Sequence, residues 1–115
     1  MKIAITGHTR GLGKGLYEQL GALGHEVSGF STSTGFDVNK ELNRRTIVGV
    51  CQNFDLFINN AYGWIDPNLP DIQAFAKLSK QQRKETSTPT ELGQVRLFEM
   101  FRDIWEGDDT KHIIN

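Results

Sequence analysis

Cysteine occurs once among the 115 residues, as Cys51, so no internal disulfide staples the fold and no pair of thiols has zinc-ligand spacing. Proline occurs three times, and two of the three, Pro67 and Pro70, fall in one short stretch. No apolar run approaches the roughly 20 residues that cross a bilayer. The opening MKIAITGHTRG also lacks the apolar core of a signal peptide, and the chain therefore reads as soluble and cytoplasmic. Neither sign of charge dominates. Thirteen Lys+Arg stand against 14 Asp+Glu, a net charge of −1, which leaves no long-range field to draw the chain to nucleic acid or to an anionic membrane.

What is present suits one globular domain over residues 1–115. Hydrophobic residues make up 37% and charged residues 23%, with 12 glycines, close to ordinary globular usage, which excludes disorder, collagen and coiled coil. No internal repeat or low-complexity tract is visible.

The hydrophobic period changes within the first few residues. Ile3-Ala4-Ile5 is a strand-like run, whereas Leu12, Leu16, Leu20 and Leu23 recur at helical spacing. Between them Gly7-His8-Thr9-Arg10-Gly11-Leu12-Gly13 is a turn, Gly24 is a helix stop, and residues 26–30 form a second strand, completing a βαβ unit with parallel strands. A polar loop follows at 31–35, then a very short strand at Phe36-Asp37-Val38 and a short helix over about 40–52. Residues 55–59 read as a strand covered on both faces and lying beside the first. An irregular loop at 63–71 and a polar, helical stretch at 72–86 lead to a helix signalled at Thr88-Pro89-Thr90-Glu91 by a capping box with proline in the first turn. Leu92, Val95, Phe98, Phe101 and Trp105 form its apolar stripe, widened by Leu97 and Ile104, and His112-Ile113-Ile114 is a last strand.

A strand, a G-x-x-x-G-x-G turn and a helix form a device for holding a dinucleotide diphosphate. Gly7 makes the sharp turn, Gly11 lets the backbone approach the ligand, and Gly13 lets the helix pack closely. Free amides at the helix start then face the anion, helped by the helix dipole. A P-loop is excluded, because no Gly-Lys-Ser/Thr follows Gly7 at the required offset.

Thr6-Gly7-His8-Thr9-Arg10-Gly11-Leu12-Gly13 resembles the TGxxxGxG fingerprint of the short-chain dehydrogenase/reductase family. Asn59-Asn60-Ala61, with Tyr62-Gly63, resembles its NNAG segment. Asp37-Val38 matches the family's aspartate that contacts adenine, and Lys111 to Asn115 resembles the strand leading to its catalytic serine. The resemblance spans nearly the whole chain as the N-terminal half of a family member. It implies a Rossmann-like three-layer αβα fold with a parallel sheet of about five strands ordered 3-2-1-4-5. It also implies cofactor contacts from Gly7, Thr9, Arg10, Gly11, Leu12, Gly13, Asp37, Val38, Asn60 and Ala61.

The end of the second strand bears on which cofactor binds. An acidic side chain there would bond a ribose 2′-hydroxyl and repel a 2′-phosphate. This chain has Ser31 and Thr32 instead, with Arg10 before the second glycine, so NADP(H) is favoured over NAD(H). If Asp37 reaches the ribose, NAD becomes the answer.

The family's chemistry uses a serine and a Tyr-x-x-x-Lys pair, and this chain has no such pair: Tyr17 is followed four residues later by Gly21 and Tyr62 by Asp66. Tyr62 is the tyrosine placed to donate a proton; otherwise it packs against the cofactor or a neighbouring loop. His8 either faces the diphosphate or is a solvated loop side chain. No metal site is expected. The helix at 89–106 lies in a dimer interface in the resembled family, so a homo-oligomer is expected to bury Phe98, Phe101 and Trp105 together with the last strand. Three readings follow: a minimal NADP(H)-dependent reductase, a non-catalytic dinucleotide-binding or regulatory module, and a fragment of a longer reductase.

Overall fold

The N-terminal strand β1, Lys2–Thr6, buries Ile3, Ala4, Ile5 and Thr6, as a strand covered on both faces must. The computed structural model describes residues 1–61 and 89–115. After β1 come α1 (Gly11–Ala22), β2 (Glu26–Phe30), a 3₁₀ turn (Thr32–Thr34), α2 (Glu41–Val50), β3 (Leu56–Ile58), α3 (Pro89–Ile104) and β4 (His112–Ile114). All strand pairs are parallel, in the order β2-β1-β3-β4.

Side-chain alternation along the strands sorts two cores. Ile3, Ile5 and Ile58 point toward α1, where Leu16 and Leu20 pack against them. Ala4 and Phe57 point the other way, into a larger cluster with Ile47 and Val48 of α2 and Leu97, Phe101 and Trp105 near or within α3. The result is an α/β/α sandwich whose second helical layer is the heavier. Phe101 stacks on Phe57 with ring centroids 4.0 Å apart, and the Trp105 indole N–H donates to the Gln52 carbonyl at 3.0 Å. Burial of each such ring contributes about 2–3 kcal/mol. Cys51 lies fully buried beside them, and removal from water pushes its thiol pKa up to about 12.

Two expectations need correction. Among the described residues the sheet has four strands rather than five, because Phe36-Asp37-Val38 is not a strand. Its polar groups go to a local turn: the Asp37 N–H donates to Asn43 Oδ1, the Asp37 carbonyl accepts from Lys40, and Asp37 Oδ1 accepts from the Asn39 N–H. No ladder is left for it to join, and the expected order 3-2-1-4-5 loses its first member while the other four keep their sequence. The second correction concerns α3. Phe101 and Trp105 are 0% and 7% exposed within the single chain, so they are core residues and no longer available to an interface. Phe98 is half-buried with the Arg102 guanidinium over its ring.

α3 starts at Pro89, as proline at the first helical position implies, whereas Thr88 of the capping box lies outside the described residues. The loop at 63–71 and the helical stretch at 72–86 lie outside them too. Among the described residues, no helix is long and apolar enough to cross a membrane.

Candidate functional site

At the carboxyl ends of β1, β2 and β3 lies a groove of about 790 Å³. In parallel sheets this is the edge where ligands bind, because loops open there and helix N-termini point into the gap. Its floor is the turn between β1 and α1. Gly7 and Gly11 take left-handed φ values of 71° and 54°, which side chains disfavour. The Gly7 N–H donates to the Phe30 carbonyl at 2.8 Å, tying the turn to the end of β2. From the other side Asn60 Nδ2 donates to the Gly7 carbonyl at 3.1 Å. The buried Thr6 hydroxyl accepts from the backbone N–H groups of Asn60 and Ala61 at 3.2 and 3.0 Å.

Gly13 brings α1 against this turn. A Cβ there would lie 2.0 Å from the Gly7 carbonyl oxygen and 2.4 Å from Asn60 Nδ2. The first helical bond of α1 runs from the Lys14 N–H to the Arg10 carbonyl. The N–H groups of Gly11, Leu12 and Gly13 are therefore left without intrahelical partners at the positive end of the helix dipole. No side chain caps this helix. The opening faces the groove and suits an anion.

The far wall is rich in hydroxyls. Ser31, directly after β2, pairs its hydroxyl with Ser33 at 2.9 Å and with Thr34 at 3.3 Å. The Ser33 hydroxyl in turn donates to Thr9 Oγ1 at 3.2 Å, bridging the post-β2 turn to the glycine turn. Of the groove's lining side chains, Arg10 and Asp37 carry charge, and Arg10 is solvent-exposed. Asp37 lies beyond the 3₁₀ turn beside Val38, half-buried, with one carboxylate oxygen already accepting from Asn39.

Gly7, Thr9, Arg10, Gly11, Leu12, Gly13, Ser31, Thr32, Asp37, Val38, Asn60 and Ala61 all line this one groove. Sequence reasoning missed Phe30, Ser33, Phe36 and Asn39, which line it as well. Ser33 had a signal, as the third hydroxyl of a run after a strand. Phe30 and Phe36 had none, because their edge-to-face contact, 4.9 Å between centroids, depends on the 3₁₀ turn folding back. Tyr62, the candidate proton donor, lies outside the described residues. The described tyrosine, Tyr17, sits against His8 and does not line the groove.

His8 corrects an expectation. It neither lines the groove nor stands free in solvent: half-buried, it lies against Gly29 of β2, and burial holds its imidazole pKa below the usual value. Among the described residues, no group of three or more His, Cys, Asp or Glu side chains is placed to hold a metal ion. No protein-family model matches this chain, and no curated protein matches it.

Proposed function

We propose that the chain binds a dinucleotide, NADP(H) in preference to NAD(H), in the manner of a short-chain dehydrogenase/reductase. The observation that carries the reading is the convergence of three separated segments on one groove at the carboxyl edge of the sheet: the glycine turn, the end of β2 and Asn60-Ala61. The diphosphate would rest on the N–H groups of Gly11, Leu12 and Gly13. A 2′-phosphate would meet Arg10 and the hydroxyls of Thr9, Ser31 and Thr32, and residues 31–35 directly after β2 include no carboxylate to repel it. Asp37 and Val38 would face the base. NADP(H) would supply the hydride chemistry when bound; this chain's residues bind it and orient it.

The sequence itself favours a second reading, in which the domain senses or holds the dinucleotide without turnover. No Tyr-x-x-x-Lys pair is present, and Tyr62 has no lysine four residues on to depress its pKa. Calorimetric titration with NADPH and NADH, followed by turnover on a panel of carbonyl compounds, separates the two readings. Binding with turnover supports the reductase, binding alone supports the module, and no binding of either nucleotide rejects both.

Assembly belongs to the same proposal. With Phe101 and Trp105 committed to the core, a second copy would meet Val95 and Ile104 of α3 and Ile114 of β4, which are 47%, 41% and 52% exposed. A monodisperse monomer by light scattering at micromolar concentration would sink the oligomer.

A further inference from the structure

His8 sits in the middle of the glycine turn, yet its ring is directed away from the groove, into a notch on β2. The notch exists because residue 29 is glycine: a Cβ there would fall 2.2 Å from His8 Cγ and 2.3 Å from Cδ2. On its other side the ring meets Tyr17 of α1, with centroids 4.9 Å apart. Nδ1 is buried and has no hydrogen-bond partner among the described residues. Among the described residues, the groups that face the ring are thus the phenol of Tyr17 from α1 and the bare backbone of Gly29 from β2, and the cause of its low basicity is removal from water.

A neutral imidazole tolerates this seat, since one nitrogen carries no proton and loses only an acceptor bond. An imidazolium does not, because both nitrogens would be donors and one would point into a closed space with nothing to receive it. His8 is flanked by Gly7 and joined through Thr9-Arg10 to Gly11 and Gly13, the residues that shape the candidate anion site. We propose that His8 is a latch on the glycine turn that only the neutral ring can hold, so that acidification releases the turn from β2 and weakens the groove. The latch stands on its own geometry; its consequence for nucleotide affinity rests on the NADP(H) reading.

The test uses the full chain labelled with ¹⁵N and free of nucleotide, titrated from about pH 8 to about pH 5. The His8 Cε1–H resonance and the amides of Gly7, Gly11 and Gly13 are followed together. The expected result is a His8 midpoint below the ordinary imidazole value of about 6.5, with the glycine amides moving at the His8 midpoint. In His8→Phe, whose ring fills the notch and takes no proton, the amides should cease to follow that midpoint. A His8 midpoint at or above about 6.5, or glycine amides indifferent to it, overturns the latch. Gly29→Ala should displace the same amides toward their acid positions even at about pH 8 by expelling the ring, and His8→Ala, which removes the latch outright, should leave them displaced as well. Unmoved amides in a folded Gly29→Ala chain also overturn it; should that chain not fold, the His8→Phe titration decides.

A nucleotide arm keeps the two claims apart. NADP⁺ and NAD⁺ affinities are compared between about pH 7.5 and about pH 5.5, NAD⁺ having no 2′-phosphate of its own to titrate. A several-fold loss for both in the parent chain, absent for NAD⁺ in His8→Phe, supports the latch. No nucleotide binding at any pH would reject the NADP(H) reading and leave the amide titration to judge the latch alone.

Discussion

The Cβ that Gly13 lacks would sit 2.0 Å from the carbonyl oxygen of Gly7. Helix α1 is thereby pressed onto the turn that precedes it, and the carbonyl is held there by Asn60 Nδ2. Gly13 of α1 and Asn60 beyond β3 thus close together on the same peptide.

Substitution at Gly13 should therefore be costly in two ways. Gly13→Val is expected to destabilise the fold by about 1–3 kcal/mol through overpacking and to abolish dinucleotide binding. Gly15, two positions on in the same helix with open space around it, provides the control: Gly15→Ala should be neutral or stabilising by up to about 1 kcal/mol. Urea midpoints and calorimetry on both variants check the contrast. Retained affinity in Gly13→Val would reject the cofactor site.

Arg10 is exposed and stands where the groove meets solvent. If it meets a 2′-phosphate, Arg10→Ala should weaken NADP(H) by about tenfold and NAD(H) far less, with a difference that shrinks as salt is raised. Equal losses for the two nucleotides would show that Arg10 does not read the phosphate.

Phe101 lies at the centre of the heavier core layer, stacked on Phe57 and beside Trp105, 5.0 Å between centroids. Phe101→Ala should cost about 3–5 kcal/mol, read from denaturant unfolding of dilute protein, where no assembly contributes. A loss well under that range, or one that appears only at high concentration, would return this ring to an interface role.

The lowered pKa of His8 has a definite sign for stability. A base whose folded-state pKa lies below its ordinary 6.5 makes the folded chain bind fewer protons than the unfolded one between those two values. Its contribution is complete above about pH 6.5 and is lost as the pH falls toward the folded-state value. The urea midpoint should decline across that window, and His8→Phe should flatten this component of the decline. An identical decline in both chains would mean that other groups carry it.

Much of the groove was legible in the amino-acid order because its signals are local. The alternation of Ile3-Ala4-Ile5, the glycine spacing before Leu12 and Leu16, and proline at the start of α3 each act within a few residues. Turn chemistry and periodicity need no knowledge of the rest of the chain, so the βαβ unit and the residues from Gly7 to Gly13 could be read directly. Asp37 lost its strand to a local turn closed by Lys40 and Asn43, whose capture of its backbone the residue pattern does not announce, whereas tertiary structure alone decided two matters. Phe101 and Trp105 joined the core because Phe57 and Gln52 met them from far along the chain; His8 turned from the groove because Gly29 left room on β2. In each case the deciding partner is brought up only by the folded chain, and a side chain's role depends on which face its neighbours leave open.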